Sequence, residues 1–142
     1  MKRFTWVFLL ALPFASGSSL AQQKVESKGI KGKVGLESII SGYLTELNGK
    51  YKLRVTELRW EPGAHVGDHH HAAPGIRYVA SGELTILQQG ETVVYKAGDY
   101  YYESGDVTHS ADNKSNSPVL VLQFEILPAD LKGGTLIPPK PR

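Results

Sequence analysis

The chain has five histidines, and all of them fall in two short windows: His65, His69, His70 and His71 in the first, His109 in the second. His69 and His71 are two residues apart. On an extended chain, residues i and i+2 point to the same face, so these imidazoles can converge on one ion while His70 points away. A third ligand must come from another strand. His109 follows the tight turn at Ser104–Val107 and opens the next predicted strand. Neutral imidazole suits iron, zinc, copper or nickel. There is no cysteine, which removes thiol nucleophiles, iron–sulfur clusters and Cys-based zinc sites.

Such ligands need a rigid frame, and the sequence predicts one made of β-strands. Tyr51 to Trp60 begins with apolar residues at 51, 53 and 55, then shifts phase to 58 and 60, which predicts a bulge or a strand end. Further strands are expected at Ile76–Ala80, Glu83–Gln88, Thr92–Lys96, Tyr100–Glu103 and Val119–Leu127. Turn signals separate them, among them Pro62-Gly63, Ser81-Gly82, Gln89-Gly90 and Gly98-Asp99. Short strands at this spacing indicate an all-β sandwich or barrel. The domain boundaries expected are a leader at 1–21, an N-terminal arm with the first strand or strands at 22–50, a barrel at 51–127, and a Pro/Gly-rich arm at 128–142. Within the N-terminal part, residues 22 to about 34 read as a flexible lead-in or edge arm, and Leu36–Leu44 is ambiguous between helix and strand.

The histidine windows, with their flanking residues, resemble the two motifs of the cupin superfamily. Gly63, His69, His71 and Gly82 fall in the register of the first motif. Gly98, His109 and Asn113 fall in that of the second, with Ser104 and Asp106 standing where Pro and Gly are usual. Fifteen residues, Glu83 to Ala97, separate the two. The resemblance covers about Trp60 to Leu127. It implies an antiparallel jelly-roll β-barrel with a divalent transition metal inside, near one mouth. Iron is the first expectation, with manganese, nickel or zinc as alternatives. The departure is at Gly75, where the family's glutamate ligand stands. Three outcomes are open: a three-histidine site with free positions, a replacement carboxylate of which Glu103 is the nearest candidate, or a weak or vestigial site.

Residues near the motif could serve a reaction. If Gly75 faces inward, alternation sends Arg77 inward too, where it could hold a substrate carboxylate or pair with Glu83, Glu103 or Glu125. Tyr100 and Tyr102 share one face of a strand and Tyr101 the other. A tyrosine near a metal can donate a proton or orient substrate. Arg77, Tyr100 and Tyr102 are therefore the candidate catalytic residues, with core packing as the alternative for the tyrosines. Asn113 is expected to fix a turn.

The N-terminus has the form of a secretory signal: Lys2 and Arg3, an apolar run from Phe4 to Phe14, then small residues up to Ala21. That run is too short to span a bilayer, so no stable membrane anchor is expected after cleavage, and the protein is expected in the periplasm or outside the cell. Lys2 and Arg3 are the charged residues of this segment, so 14 basic and 14 acidic residues remain beyond it. That balance argues against nucleic-acid binding. The functional expectation is an exported metal-binding cupin. It could be an oxygenase-type enzyme with three histidines on non-haem iron, acting on a small anionic substrate. The alternatives are a non-catalytic binder of a metal or small molecule, and a structural barrel. A homodimer is expected from the resemblance.

Overall fold

The computed structural model of the protein describes residues 24–139; the expected leader lies outside them. Nine strands follow in chain order: β1 (Ser27–Ile39), β2 (Tyr51–His71), β3 (Gly75–Ser81), β4 (Glu83–Gln88), β5 (Glu91–Lys96), β6 (Tyr100–Glu103), β7 (His109–Asp112), β8 (Val119–Pro128) and β9 (Leu136–Ile137). They pair antiparallel in the order β5-β4-β7-β2-β8-β3-β6, with β1 and β9 also on β2. The sheet curls into a nearly closed barrel, as the all-β jelly-roll expectation requires.

β2 organises the barrel because it crosses between two partners. Its first half pairs with β8 in unbroken register, from Tyr51↔Pro128 to Trp60↔Val119. Its second half pairs with β7, with His65 opposite Asp112 and His69 opposite His109. Pro62-Gly63, read from sequence as a turn, instead lies inside the strand at this crossover. Pro cannot donate to a ladder, and Gly63 adopts φ +71°, a left-handed conformation that glycine reaches without strain. Asn113 fixes the corner, its side-chain amide donating to the carbonyls of Trp60, Glu61 and Ser117 at 2.9–3.2 Å.

The phase shift expected in Tyr51–Trp60 has a different cause from a bulge on β8. The buried face of this stretch includes Lys52, Arg54 and Trp60, while Tyr51 and Leu53 are exposed. The early apolar residues point outward, and two cations point inward. Lys52 and Arg54 meet Glu37 of β1 at 3.2 and 2.6 Å. They also donate to the carbonyls of Leu131 and Gly133. The C-terminal segment therefore folds back over its own barrel: Thr135 is buried, and β9 pairs with His70 and His71.

Of the two readings of residues 22 to about 34, the structure gives the edge arm over the flexible lead-in. Residues 27–39 form a 13-residue strand along β2. Both of its faces are largely solvent-exposed, so it carries no alternation to read, and its frequent glycines mimic a linker. The core is a cluster built from Trp60, Val66, Val79, Leu84, Ile86, Val119 and Val121, with Ala64 and Ala111.

Candidate metal centre

His69 and His71 project from the end of β2, and His109 opens β7 on the strand paired beside them. All three are buried, and one ring nitrogen from each lies within 4.8 Å of the others. The strand spacing read from sequence thus delivers the three side chains to one point. His70 is half-buried outside this group, and its backbone pairs with Ile137. His65 sits 3.3 Å from Glu26 and takes no part.

Glu103, at the end of β6, joins the group. Its carboxylate lies 3.1 Å from Nε2 of His71 and 3.1 Å from Nε2 of His109. It reaches them because β6 flanks β3, which places Glu103 directly opposite Gly75; β8 on the other side places Glu125 opposite the same glycine. Arg77 fills the space between them. Its Nη2 is 2.6 Å from Glu103 and 3.5 Å from Glu125. A Cβ at Gly75 would collide with this guanidinium and with the Phe124 carbonyl oxygen. Arg77 is only 2% exposed. Its guanidinium pairs with Glu103 and Glu125 at the cavity wall, and Glu83 is not among its partners.

The donor set fits a divalent transition metal. Nδ1 of His69 lies 2.8 Å from the Gly67 carbonyl, and Nδ1 of His109 lies 3.2 Å from that of Val107. A carbonyl can only accept, so each Nδ1 carries a proton. The His69 ring is neutral and presents a bare Nε2, whereas Nε2 of His109 holds a second proton toward Glu103 until an ion replaces it. Nδ1 of His71 faces Glu125 at 3.8 Å. Several buried atoms of the cluster lack a hydrogen-bond partner: Nδ1 of His71, Nη1 of Arg77 and both oxygens of Glu125. Glu103 and Glu125 set two carboxyl groups away from water against one guanidinium. Unpaired charge is costly there, and a bound cation removes that cost.

Electrostatics set the protonation of these groups. Burial, against a weaker pull from the Gly67 carbonyl, lowers His69 to about 4 from its usual 6.5, so it is neutral near pH 7. Burial would raise Glu103, but hydrogen bonds from His109 and His71 and the charge of Arg77 outweigh it and hold the carboxyl well below its usual range. Burial would lower His109, but its hydrogen bond to Glu103 and that carboxylate's charge raise it.

The tyrosine expectation is corrected. Tyr100 and Tyr102 are 68% and 67% exposed on the outer face, and it is Tyr101 that lines the interior. The twist of β6 toward β3 turns the odd position inward, together with Glu103. Tyr101 stacks on Tyr95 with centroids 4.2 Å apart. Burial, then the Glu103 charge, push its phenol up, so it remains a donor. Sequence reasoning also passed over Gln123 and weighed Glu125 only as a partner for Arg77. A polar pair in the inward row Val121, Gln123, Glu125, Leu127 was the available signal.

The centre forms one pole of a cavity of about 560 Å3 inside the barrel, roofed partly by Gly133 to Leu136. An antiparallel jelly-roll with a histidine cluster at one end of its interior defines a class of small-molecule and metal-binding barrels. Residues 56–125 match the Cupin domain family model, and the chain belongs to the cupin superfamily. It is 28% identical over 112 residues to an oxalate-binding protein of Thermotoga maritima, an alignment covering 78% of this chain and 90% of that one. Its fold matches a cupin domain from Bordetella pertussis Tohama I at TM-score 0.52 and 21% identity, covering 71% and 96% of the two chains. An RmlC-like cupin from Shewanella frigidimarina matches at TM-score 0.53 and 21% identity, covering 77% and 87%.

Proposed function

We propose that the protein is an exported cupin that holds one divalent transition metal on His69, His71 and His109, with Glu103 as a fourth donor, and presents it to a small anionic ligand. The observation that carries this reading is the way the rings are tied. Backbone carbonyls hold Nδ1 of His69 and His109, and Glu125 faces that of His71, so Nε2 is the ring atom each would turn to an ion, with Glu103 already beside two of them. The metal when bound would supply Lewis acidity, or dioxygen activation if it is iron. The chain's own residues then have distinct tasks. Arg77 keeps Glu103 ionised and in place. Tyr101 supplies a phenol beside the centre, and the apolar barrel excludes water.

The oxalate-binding relative favours a second reading, in which the ligand is bound and not turned over. Metal analysis of protein purified from the periplasm, without added metal, tests the proposal. About one equivalent of a single transition metal is expected, and it should be lost in His69→Ala/His109→Ala. Less than a tenth of an equivalent would sink it. Anaerobic iron loading followed by oxygen uptake with candidate acids then separates oxygenase from binder. Recovery of the chain from the periplasm, starting at Gln22, tests the export assignment.

A homodimer belongs to this proposal. Leu53 lies opposite Ile126, and Ile76 lies between Phe124 and Tyr102; these side chains form an exposed apolar outer face. Such faces on soluble proteins mark contact sites. Light scattering should give twice the chain mass, and Phe124→Lys should halve it.

A further inference from the structure

The metal pole occupies one end of the cavity, and a second polar group lies apart from it. Arg54, Thr56, Gln123 and Thr135 line the same space. The register explains the separation. One interior row crosses β1, β2, β8, β3 and β6 as Glu37, Arg54, Glu125, Gly75 and Glu103. Glu125 turns to Arg77 and His71, whereas Arg54 turns the other way, to Glu37. Arg54 and Glu103 stand three strand spacings apart, roughly 14 Å along the curved sheet.

Charge and hydrogen-bonding capacity define what this second group takes. Lys52 and Arg54 are both buried, and they share one carboxylate, the partly exposed Glu37. Their other partners are the neutral carbonyls of Leu131 and Gly133. Among the described residues, positive charge therefore exceeds negative here. Excess charge away from water is costly, and an anion placed beside it removes that cost. The guanidinium of Arg54 also carries more N–H donors than its contacts to Glu37 and Gly133 use. Gln123 gives its Nε2 to Oγ1 of Thr135 at 3.4 Å. No atom of Arg54, Thr56 or Gln123 is both sealed from solvent and unpartnered, so what they leave unbonded keeps accessible surface, and all three side chains line the cavity. A guanidinium flanked by a hydroxyl and a carboxamide matches the fork of a carboxylate.

We infer that the cavity holds a second anion subsite at Arg54, with Thr56 and Gln123 beside it, and that the ligand is an elongated acid with two carboxylates, one at the metal pole and the other at Arg54. The cavity of about 560 Å3 admits such a chain. In oxalate the two carboxyl carbons are directly bonded, so it reaches one pole and not both. This inference rests on the metal-centred reading for one end only, and its test separates the two.

Zinc is titrated into the purified protein first. Succinate, glutarate and adipate are then titrated into the zinc-loaded protein by calorimetry, each beside the monoacid of equal chain length: butyrate, pentanoate and hexanoate. At the length that spans the two poles, the diacid should bind at least fivefold tighter than its monoacid. In Arg54→Met, which leaves the Lys52–Glu37 pair in place, that advantage should vanish. In the zinc-loaded wild type the Arg54 Nε–H resonance should move on adding the diacid and not the monoacid, whose one carboxylate goes to the metal. In the zinc-free wild type both acids should move it, and neither readout depends on a variant folding. Failure to bind zinc sinks the metal-centred reading and the bridging ligand with it, while the zinc-free resonance still decides the Arg54 subsite. Zinc binding with a smaller ratio at every length, a ratio that survives in Arg54→Met, or an Arg54 resonance that stays still overturns the second subsite alone.

Discussion

The guanidinium of Arg77 occupies the space that a side chain on Gly75 would need. The two positions are therefore coupled. A glutamate cannot stand at residue 75 while Arg77 is present, and the carboxylate of Glu103, one strand over, lies against two of the histidines. Arg77 in turn holds that carboxylate at 2.6 Å. On the proposed reading the centre would hold three imidazoles and one carboxylate, the carboxylate drawn from across the sheet.

Gly75→Ala should destabilise the protein by about 2 kcal/mol or more, the scale of overpacking in a tight interior. The added Cβ meets the Phe124 carbonyl as well as Arg77, and backbone yields less readily than a side chain. In a double-mutant cycle with Arg77→Ala, the costs should be less than additive, because the second change removes one of the two clashes. Urea denaturation of the four proteins measures this. Full additivity would mean that the guanidinium does not fill the space at Gly75.

Glu103→Gln should weaken zinc binding by about ten- to a hundredfold, the range seen when a metal site loses a supporting carboxylate. The amide keeps the shape but not the charge, and Arg77 is left with only its longer contact to Glu125. Glu83→Gln, at an exposed strand start, should leave zinc affinity within twofold. Competition titrations against a chromophoric chelator read both. Equal affinity in Glu103→Gln and the wild type would leave a three-histidine site.

How much of this was legible beforehand depended on where each signal lay. The histidine convergence was readable because strand alternation is local: His69 and His71 share a face whatever surrounds them. The strands from β3 to β8 were readable for the same reason. The inward face of β6 was not, because Tyr100, Tyr101 and Tyr102 suit either side, and only pairing with β3 decides between them. The inward face of early β2 was misleading. Lys52 and Arg54 are buried only because Glu37 and the returning C-terminal segment meet them, and those partners are distant in sequence. The place of Glu103 was half legible: it was the nearest carboxylate by motif position, but its link to Arg77 required the register.

Metal uptake should depend on pH through His109. In metal-stripped protein its Nδ1 faces Val107 and its Nε2 faces Glu103, both acceptors, so the ring is held protonated. Its pKa is raised above 6.5, so its contribution to stability is fully present below pH 6.5 and is lost as pH rises through the raised value. Glu103 is depressed below 4.5, so its contribution is present above that pH and lost as pH falls through the lowered value. The stripped protein should be most stable between these limits. His69, lowered to about 4, is already neutral there. Zinc must displace the His109 proton, so apparent affinity should rise with pH until that proton is gone. Calorimetry in two buffers of different ionisation enthalpy should show about one more proton released per zinc at pH 6 than at pH 8.5. No difference would mean that His109 is not held protonated by Glu103.

The C-terminal segment should be a structural member of the barrel. Leu131 and Gly133 supply carbonyls to the buried Lys52 and Arg54, the Thr135 carbonyl accepts from the Ala72 N–H, and β9 extends the sheet. A chain ending at Asp130 would leave both cations with only the partly exposed Glu37. Hydrogen bonds to charged groups contribute about 1.5–3 kcal/mol each, so the shortened chain should lose about 3–6 kcal/mol and its Tm should fall by on the order of 10 °C or more. Replacing both cations in the shortened chain, as Lys52→Met/Arg54→Met, should recover part of the loss, since removing an unpaired buried charge relieves its desolvation cost. Recovery would also separate this cause from the loss of β9, whose backbone pairing the double substitution cannot restore. An unchanged Tm in the shortened chain would show that the segment lies on the barrel without holding it together.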